Sequence, residues 1–452
     1  MMREPPFQSL PAPTPTPLVG RRVLVLGLGD TGLSLARWIE REGGRVRMAD
    51  SRRAPPRRKD FSGELHTGRF SQQLLDNVDV VCVSPGVSLE EEIVRDALVR
   101  GLPILGDIEL FAWHARQPVL AVTGTNGKTT VTALAGHLLK SVGVDCEVAG
   151  NIGPPVLEAM LKRLGEGRLP RTWVLELSSY QLETTWSLAP AAAAVFNLTE
   201  DHLDRYASLD DYGAAKARIF IGAGVQVLNR DDPRSAAMAQ PGKTVLTFGL
   251  DAPRKPQDFG VSGGRLVQGA AQILPIDALA IRGSHNVANA LAACALASAL
   301  GIAPAALGEG LRTFRGLPHR LQLVATRRGV EWYDDSKGTN VGATVAALRG
   351  LGRTCVLILG GDGKGQDFSP LKEPVARHAS KVLLIGRDAP LIEQAVGGER
   401  CGSLDEAVQK AAGIAQPGEA VLLSPACASF DMFRDYRHRG EVFAQAVKSL
   451  AP

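Results

Sequence analysis

The pattern that most constrains the fold of this chain is an apolar run followed by a glycine-rich turn and a helical segment. It recurs at residues 23–32 ("VLVLGLGDTG"), 121–130 ("AVTGTNGKTT") and 355–365 ("CVLILGGDGKG"). Strands that alternate with helices pair in parallel, and the helices cover the faces of the sheet. The pattern therefore predicts an α/β protein with ligand sites at the carboxyl ends of its strands.

The recurrences fall into three blocks, and 452 residues are more than one hydrophobic core needs. We place the boundaries near residues 106 and 316, which predicts domains over 21–106, 107–316 and 317–452. Residues 1–20 are rich in proline and lack an apolar core. They therefore predict a disordered tail and not a signal peptide.

Composition excludes several classes of protein. Lys and Arg number 51 against 47 Asp and Glu, so we expect no nucleic-acid partner. The basic cluster at residues 51–59 predicts a solvated loop. An alanine-rich stretch at 290–300 is cut short by Gly301 and Pro304, which predicts a buried helix and no membrane insertion. Six cysteines without metal-ligand spacing predict reduced thiols, no zinc site and a cytoplasmic location.

The first glycine motif, "GLGDTG" at residues 27–32, fits G-x-G-x-x-G after a strand, and Asp50 ends the next strand. This is the fingerprint of a nicotinamide cofactor. The motif is compatible with a wider range of ligands, because the glycines let any nucleotide diphosphate approach a helix N-terminus. An aspartate can also accept hydrogen bonds from ribose or uracil. Tight packing of strand against helix is the structural alternative.

The second motif, "GTNGKTT" at residues 124–130, is more specific. It is a shortened form of the phosphate loop G-x-x-x-x-G-K-[ST], because Val122 stands where the first glycine is expected. Backbone N–H groups of such a loop hold phosphates, Lys128 neutralises charge and Thr129 can ligate magnesium. A plain turn is a poor explanation for Gly-Lys-Thr-Thr at the start of a helix.

Glu176 ends the next strand of this block, and His202 follows the strand after it. A carboxylate at that position suits Mg²⁺, and the placement of both residues favours a metal site. Lys216 lies in a helix for which Ser208 and Asp211 form a capping box. From spacing alone, Lys216 would be a surface residue.

Asn286 and Asn289 lie one helical turn apart at the start of the alanine-rich helix and share a face. Two amides on one face can bind a purine edge, or they can cap the helix, and spacing alone favours the cap. In the third block, "YDDSKGTN" and "GGDGKGQDF" carry lysines among small residues after strands, which indicates anionic ligands. Cys427, between alanines in "SPACASFDMFRDYRHRG", predicts a core position.

Taken in order, "TGTNGKTT", "AGNIG", "LELSS", "TEDHLDRY", "HNVANALAA" and "HR" resemble the Mur ligase family. Within that family, "GLGDTGLS", "SPGV", "DDSKGTN", "GGDGKGQDF" and "LLSPACASFD" resemble the members that join D-glutamate to UDP-N-acetylmuramoyl-L-alanine. The match runs from about Arg22 to the end of the chain. Two positions depart from the pattern: Gly338 stands where alanine is common, and Tyr436 stands where we expect phenylalanine.

The resemblance implies a Rossmann-like domain for the uridine nucleotide, a central phosphate-loop ATPase domain and a Rossmann-like domain for the amino acid. It implies ATP-binding positions at Gly124, Thr125, Asn126, Gly127, Lys128, Thr129, Thr130, Asn286, Asn289, Arg320 and Asp335. It implies positions for the uridine substrate at Asp30, Thr31, Asp50, Ser51, Arg52, Gly86, Asn151 and His202. It implies a D-glutamate pocket with Lys337, Thr339, Lys364, Ser429 and Tyr436.

The implied catalytic group is Lys128, Glu176, His202, Lys216 and Lys337. Two Mg²⁺ ions would be held with Thr129, Glu176, His202 and Lys216, the last as a carbamate formed with CO₂. The implied reaction phosphorylates the alanine carboxylate with ATP, and the D-glutamate amine then displaces phosphate from the acyl phosphate through a tetrahedral intermediate. The resemblance alone selects D- over L-glutamate. We expect a monomer.

Other interpretations stay open at this stage. A nucleotide-dependent oxidoreductase would explain Gly27, Gly29, Gly32 and Asp50 but leaves "GTNGKTT" unexplained, and a nicotinamide titration distinguishes it. A non-catalytic nucleotide-binding module would not need Lys128 and the predicted metal residues together. A sister ligase for another amino acid, or a folylpolyglutamate synthetase, would carry other residues at "DDSKGTN".

Overall fold

The computed structural model describes residues 6–201 and 205–450, and its strands form three sheets. The strands of the first sheet are β1 Arg22–Leu26, β2 Arg45–Asp50, β3 Glu64–Thr67, β4 Val80–Val83 and β5 Ile104–Leu105. The helices in this part of the chain are α1 Pro6–Ser9, α2 Asp30–Arg41 and α3 Glu92–Val99. All pairings are parallel, in the order β3-β2-β1-β4-β5. The strand order reverses between β1 and β4, which is where open α/β sheets bind ligands.

The second sheet has nine strands. They are β6 Val119–Thr123, β7 Cys146–Gly150, β8 Thr172–Glu176, β9 Ala192–Val195, β10 Val225–Asn229, β11 Thr244–Phe248, β12 Phe259–Ser262, β13 Arg265–Gln268 and β14 Ala271–Pro275. The helices are α4 Asp107–His114, α5 Lys128–Ser141, α6 Val156–Gly165, α7 Ser179–Glu183, α8 Leu209–Ala217, α9 Pro233–Ala236, α10 Ser284–Ser298 and α11 Gly308–Thr313. The order is β14-β13-β12-β11-β10-β9-β6-β8-β7, and only the pairings of β13 are antiparallel among the described strands.

The third sheet has six strands. They are β15 Gln322–Arg327, β16 Val330–Asp334, β17 Cys355–Gly360, β18 Ala379–Ile385, β19 Glu399–Arg400 and β20 Ala420–Leu423. The helices are α12 Val341–Leu351, α13 Lys372–His378, α14 Ala389–Val396, α15 Leu404–Ile414 and α16 Tyr436–Ser449. The order is β15-β16-β20-β17-β18-β19, with β15 antiparallel and the other described strands parallel. The predicted fold, three α/β domains with mostly parallel sheets, is confirmed.

The central strands are buried because helices cover both faces of each sheet. Every residue of β6 and of β8 is buried, and β8 ends with a carboxylate, Glu176, that is only 1% exposed. The alanine-rich helix α10 is buried from Ala290 to Ala297, as predicted. Within the part of the chain that the structure describes, no helix combines the length and apolar character needed to span a bilayer. All six cysteines are unpaired and buried, including Cys427.

The amino-terminal segment differs from the disordered tail that its proline content predicts. Phe7 and Leu10 are 3% and 6% exposed and pack into a cluster with Leu24 and Leu26 of β1. Leu18 is 5% exposed and packs in the cluster that contains Val23. The prediction was wrong for this part of the segment because a few apolar side chains between prolines are enough to dock it on a preformed sheet. Residues 1–5 lie outside the described residues.

Candidate functional site

The phosphate loop joins β6 to α5 at the middle of the second sheet. Because β6 lies between β8 and β9, the loops that follow these three strands meet at one edge. The backbone N–H groups of Thr125 and Asn126 donate to Oδ1 of Asn197 at 3.0 and 2.9 Å, which ties the loop to the segment after β9. Gly127 is the N-cap of α5 and gives no side-chain cap. The first N–H groups of α5 therefore have no intrahelical acceptor and can bind an anion.

Two positions in this loop require glycine. Gly124 and Gly127 have φ values of 148° and 83°. A Cβ on Gly127 would lie 2.8 Å from both Oδ1 of Asn289 and the ring of Phe196, and a Cβ on Gly124 would lie 3.1 Å from the backbone N of Asn197. A side chain at either position would therefore strain the loop and push it away from its neighbours.

Glu176 is the candidate metal ligand. Its Oε1 accepts a hydrogen bond from Nδ2 of Asn151 at 2.6 Å, which orients the carboxylate. Its Oε2 is buried and has no partner among the described residues. A buried carboxylate oxygen without a donor is costly, and a hard cation such as Mg²⁺ would satisfy it. Glu176 thus fits the predicted metal site, and Thr129 lies in the first turn of α5, whereas His202 lies outside the described residues.

Two lysines stand beside this carboxylate. Burial lowers the pKa of Lys128, against the opposing effect of the charges of Glu176 and Asp201, and its Nζ donates to the Thr125 carbonyl at 2.8 Å. Lys216 is 1% exposed, and its Nζ donates to the Gly124 carbonyl at 2.8 Å. Burial, and then the positive charge of Lys128, hold the pKa of Lys216 well below its usual range. The surface position that spacing alone predicts for Lys216 is therefore wrong.

Lys216 reaches the loop because of how α8 is placed. Ser208 caps α8 by accepting from the N–H of Asp211, as predicted, although the Asp211 carboxylate accepts from the Ser208 hydroxyl instead of its backbone N–H. Tyr212, one turn before Lys216, has its ring 4.3 Å below the lysine Nζ. The helix thus directs a buried amine at the phosphate loop.

A cavity between the second and third domains brings together many of the predicted ATP-binding residues. Its lining includes Asn126, Gly127, Thr130, Asn286, Asn289, Arg320, Asp335 and Lys337. The cap of α10 is Gly283, without a side-chain cap, so the capping role that spacing favours for the two asparagines is wrong. Asn286 donates to the Arg282 carbonyl, and Asn289 donates to Asn286 at 2.9 Å. Oδ1 of Asn289 is buried without a described partner and can accept from a ligand in this cavity.

The third domain reaches the phosphate loop directly. Nη2 of Arg320 donates to the hydroxyl of Thr129 at 2.7 Å, and Nδ2 of Asn340 donates to Oδ1 of Asn126 at 3.2 Å. Burial lowers the pKa of Arg320, while the charges of Glu176 and Asp335 oppose that shift. Burial also raises the pKa of Asp335 to about 7, although its Oδ2 accepts from Ser424. These contacts span the domain boundary, and sequence spacing gives no signal for them.

The residues of the predicted amino-acid pocket belong to the third domain, where all but Tyr436, the first residue of α16, lie on loops. Lys337 has its Nζ 4.0 Å from the centre of the Tyr436 ring, and burial followed by the charge of Arg320 lowers its pKa to about 8. The N–H of Thr339 donates to the Lys337 carbonyl at 2.8 Å. Ser429 is 2% exposed at the end of the loop after β20. Lys364 instead points across the boundary, with its Nζ 3.6 Å from Oδ1 of Asp201.

A buried arginine that sequence reasoning missed organises these loops. Arg439 is fully buried in α16, and its guanidinium donates to the Ser336 hydroxyl at 3.0 Å and the Ser336 carbonyl at 2.8 Å. It also donates to the carbonyls of Cys427 at 3.0 Å and Ala428 at 3.3 Å. It thus joins the loop after β16 to the loop after β20. The run "RDYRHRG" is typical of an exposed helix start, and nothing in it distinguishes Arg439 from its neighbours.

A second cleft lies at the switch point of the first sheet and extends to the second domain. Its lining includes all the described residues that the resemblance implies for the uridine substrate: Asp30, Thr31, Asp50, Ser51, Arg52, Gly86 and Asn151. The cleft also includes Gln181 and Arg437, which the sequence analysis does not predict. Because Asn151 also contacts Glu176, this cleft leads from the first domain to the candidate metal site.

Asp50 is fully engaged within the protein. Its Oδ2 accepts from the Leu28 N–H at 2.7 Å, and both oxygens accept from Arg52. Burial opposes ionisation, but the hydrogen bonds from Arg52 and Leu28 outweigh it and lower the pKa of Asp50. The carboxylate therefore shapes the glycine turn and holds Arg52 over the cleft. Most other residues of the basic cluster at 51–59 are exposed, as predicted.

Comparison with known proteins identifies the family. Three family models match in sequence: Mur ligase MurD-like, N-terminal domain, over residues 21–106; Mur ligase middle domain, over 122–297; and Mur ligase, glutamate ligase domain, over 319–427. Among solved structures, UDP-N-acetylmuramate-alanine ligase from Thermotoga maritima has a TM-score of 0.60 at 19% identity, covering 95% of this chain and 99% of that chain. A pseudomurein peptide ligase type C from Methanothermus fervidus has a TM-score of 0.60 at 18% identity, covering 94% and 100%. These two structures share the fold.

Curated relatives are much closer in sequence. A protein of Thiobacillus denitrificans is 54% identical over 96% of this chain and 97% of its own length. Proteins of Aromatoleum aromaticum and Nitrosospira multiformis are 53% and 51% identical over 96% of this chain and 98% and 96% of their own. Each of the three is named UDP-N-acetylmuramoylalanine--D-glutamate ligase. With more than half of the residues identical over nearly its whole length, this chain belongs to the Mur ligase family.

Proposed function

We propose that this chain is an ATP-dependent ligase that joins D-glutamate to UDP-N-acetylmuramoyl-L-alanine in the synthesis of a peptidoglycan precursor. The observation that carries the proposal is the agreement of near full-length relatives, at 51–54% identity, on this one activity. The two clefts and the phosphate loop supply separate support, because they offer separate places for a nucleotide sugar and for ATP.

The chemistry explains why ATP is consumed. A carboxylate resists attack by an amine because it is resonance-stabilised and would have to expel oxide. Transfer of the γ-phosphate to the alanine carboxylate gives an acyl phosphate and ADP, and phosphate is a good leaving group. The D-glutamate amine then attacks the acyl carbon, and the tetrahedral intermediate collapses to the amide and phosphate.

The residues of the phosphate loop would act mainly by electrostatic stabilisation. The N–H groups at the start of α5 bind phosphate oxygens, and Lys128 and Arg320 place positive charge where negative charge accumulates during transfer. Residues at 286 and 289, beside the loop, position the nucleoside in the cavity between the domains. The site thus lowers the barrier without a protein nucleophile.

We place magnesium at Glu176 and Thr129, with His202 and modified Lys216 as further ligands, and we infer two ions. The unpartnered Oε2 of Glu176 supports this placement. When bound, the metal would act as a Lewis acid on phosphate and carboxylate oxygens. Glu176 is held for this role by Asn151, and Thr129 by Arg320.

We also propose that Lys216 carries a carbamate. Its neutral Nζ would attack the carbon of CO₂ to form an N–C bond and would release one proton, which leaves a carboxylate on the lysine stem. Burial and the charge of Lys128 lower the pKa of Lys216, which favours the neutral amine that reacts with CO₂. A carboxylate there offers oxygen ligands to a cation, whereas an ammonium would repel one.

D-Glutamate would be bound by Lys337, Thr339, Lys364, Ser429 and Tyr436, as the family motifs imply. Lys337 and Lys364 supply positive charge for the two carboxylates of glutamate. We further infer a cytoplasmic monomer, because six free cysteines fit a reducing compartment and both clefts lie within one chain. Light scattering of the purified protein tests the oligomeric state.

The test of the function is phosphate release by the purified chain with ATP, Mg²⁺ and UDP-N-acetylmuramoyl-L-alanine, against a panel of amino acids. We expect turnover with D-glutamate and rates at least about a hundredfold lower with L-glutamate, D-aspartate or meso-diaminopimelate, because a misplaced carboxylate would leave Lys337 or Lys364 without its partner. Preference for another amino acid would assign the chain to a different ligase. Phosphate release without any amide product would contradict a ligase activity.

A further inference from the structure

Arg437 belongs to the third domain but lines the cleft of the first. It is the second residue of α16, immediately after Tyr436. The other described residues that line this cleft come from the first and second domains, including Gly27, Asp30 and Asn151. Arg437 therefore faces the nucleotide cleft from the domain that carries the amino-acid loops.

The backbone that presents Arg437 is rigidly held. Asp435 caps α16 by accepting from the N–H of His438 at 2.8 Å. The carbonyl of Tyr436 accepts from the hydroxyl of Ser336 at 2.8 Å, and the buried Arg439 fixes that same serine. The start of α16 is thus tied to the core of the third domain, so that Arg437 projects from a fixed base.

The guanidinium of Arg437 has N–H groups that can still donate hydrogen bonds to a ligand. Its Nε donates to the Tyr436 hydroxyl at 3.3 Å, and it forms no ion pair within 4 Å with any described carboxylate. It is nevertheless close enough to sense Asp30: the hydrogen bond to Tyr436 and then the charges of Tyr436, Asp435 and Asp30 raise its pKa. Asp30 is already paired with Arg57 at 2.5 Å. An exposed cation beside a satisfied carboxylate is available to an anionic ligand.

The opposite wall of the cleft is where the diphosphate of a nucleotide would sit. Gly27 and Gly29 precede α2, a 12-residue helix whose N-cap has no side-chain cap, and its first two residues, Asp30 and Thr31, line the cleft. Without Cβ atoms, Gly29 and Gly86 leave this wall open, since a Cβ on either would meet nothing within 4 Å. An anion at this wall would lie between the start of α2 and Arg437.

We propose that Arg437 binds the diphosphate of the nucleotide-sugar substrate from the third domain. The inference rests on the proposed function for the identity of that substrate. Arginine suits the role because its planar fork donates two parallel hydrogen bonds to phosphate oxygens. The contact makes the first and third domains close on one ligand, and because Tyr436 and Lys337 adjoin Arg437, it aligns the amino-acid loops with the bound nucleotide sugar.

The test compares Arg437→Gln with Arg434→Gln, a matched control. Arg434 is exposed in the same segment but does not line the cleft. At saturating ATP and D-glutamate, we expect Arg437→Gln to raise both the KM for the nucleotide sugar and the inhibition constant of free UDP about tenfold. The KM values for ATP and D-glutamate, and the melting temperature, should stay close to those of the unmodified protein and of Arg434→Gln.

Two further measurements keep the inference separate from the proposed function. Calorimetric titration of UDP into the same proteins, with ATP and Mg²⁺ present, measures the contact even if the unmodified chain fails to turn over the proposed substrate. We expect weaker UDP binding by Arg437→Gln and an intermediate affinity for Arg437→Lys, which keeps the charge but loses the fork. Equal UDP affinity in Arg437→Gln and the unmodified chain would overturn the proposal, as would a rise confined to the KM for D-glutamate.

Discussion

Glu176→Gln should nearly abolish ligation while leaving the fold intact. The substitution keeps the shape of the side chain and the Oε1 acceptor that Asn151 contacts at 2.6 Å. It replaces the unpartnered Oε2 with an NH₂ group, which repels a cation instead of binding it. It also removes the negative charge that opposes the lowered pKa of Lys128, Lys216 and Arg320.

The expected loss of activity in Glu176→Gln follows from these contacts. Loss of one preorganised electrostatic group at a phosphoryl-transfer centre costs about 3–4 kcal/mol of transition-state stabilisation, or roughly 10²- to 10³-fold in kcat. The half-saturating Mg²⁺ concentration should rise as well, because one ligand charge is lost. Phosphate release across a Mg²⁺ titration, at saturating substrates, measures both quantities on one set of samples.

Glu109→Gln is the matched control. Glu109 is also a fully buried carboxylate of the second domain, but it accepts from Trp113, from the N–H groups of Trp186 and Ser187, and from the Ser187 hydroxyl. Its substitution should lower the melting temperature and leave the Mg²⁺ dependence unchanged. A folded Glu176→Gln protein with kcat and Mg²⁺ dependence within about threefold of the unmodified chain would refute the metal site argued above.

Three further outcomes are expected. Lys128→Ala should lower kcat roughly a thousandfold or more, because its ammonium meets phosphate charge, and near-normal phosphate release by the folded variant would contradict this. Lys216→Ala should lose nearly all activity and regain part of it with added acetate, which can occupy the vacated ligand position. Lys216→Arg should be inactive, and full activity of that variant would refute the carbamate. The KM for D-glutamate should rise as the pH increases through about 8, because burial lowers the pKa of Lys337 to about 8 and the lysine loses its charge there. If the KM for D-glutamate stays as constant as the KM for ATP from pH 7 to 9.5, Lys337 does not pair with a substrate carboxylate.

Local sequence signals predicted the parts of the site that local geometry builds. The strand before "GTNGKTT" ends at Thr123 and the helix begins at Lys128, because a buried β6 and two glycines with positive φ leave the chain few alternatives. The end of β8 at Glu176 follows the same logic. Each of these features is decided within about ten residues of sequence, where periodicity and turn chemistry operate.

The burial of a side chain by partners that are distant in sequence could not be predicted in this way. Lys216 and Arg439 carry charged side chains, which are usually exposed, yet they are 1% and 0% exposed. What buries them is a partner from another loop: the Gly124 carbonyl for Lys216, and carbonyls of the 427–428 loop for Arg439. A sequence pattern reports the average environment of a segment, whereas a single hydrogen-bonded side chain can be an exception to it.

The same reasoning explains the asparagines of α10. At the start of a helix, Asn286 and Asn289 resemble caps, because asparagine side chains there commonly accept hydrogen bonds from the first N–H groups of the helix. The tertiary structure instead places Gly283 at the cap and turns both amides toward the cavity between domains. The two asparagines line the cavity because α10 packs beside the phosphate loop. The packing is so close that a Cβ on Gly127 would lie 2.8 Å from Oδ1 of Asn289.

The contacts between the second and third domains tie the amino-acid loops to the phosphate loop. Thr129 and Asn126 belong to the phosphate loop, and their partners Arg320 and Asn340 lie 191 and 214 residues further along the chain. Arg320 and Lys337 are both cations and repel each other: the charge of Arg320 lowers the pKa of Lys337, although the charge of Glu176 opposes that shift. Phosphate bound at the start of α5 and a carboxylate bound beside Lys337 would each relieve that repulsion. Binding of ATP and D-glutamate would therefore favour the docked arrangement of the domains, in which the amine and the activated carboxylate can meet.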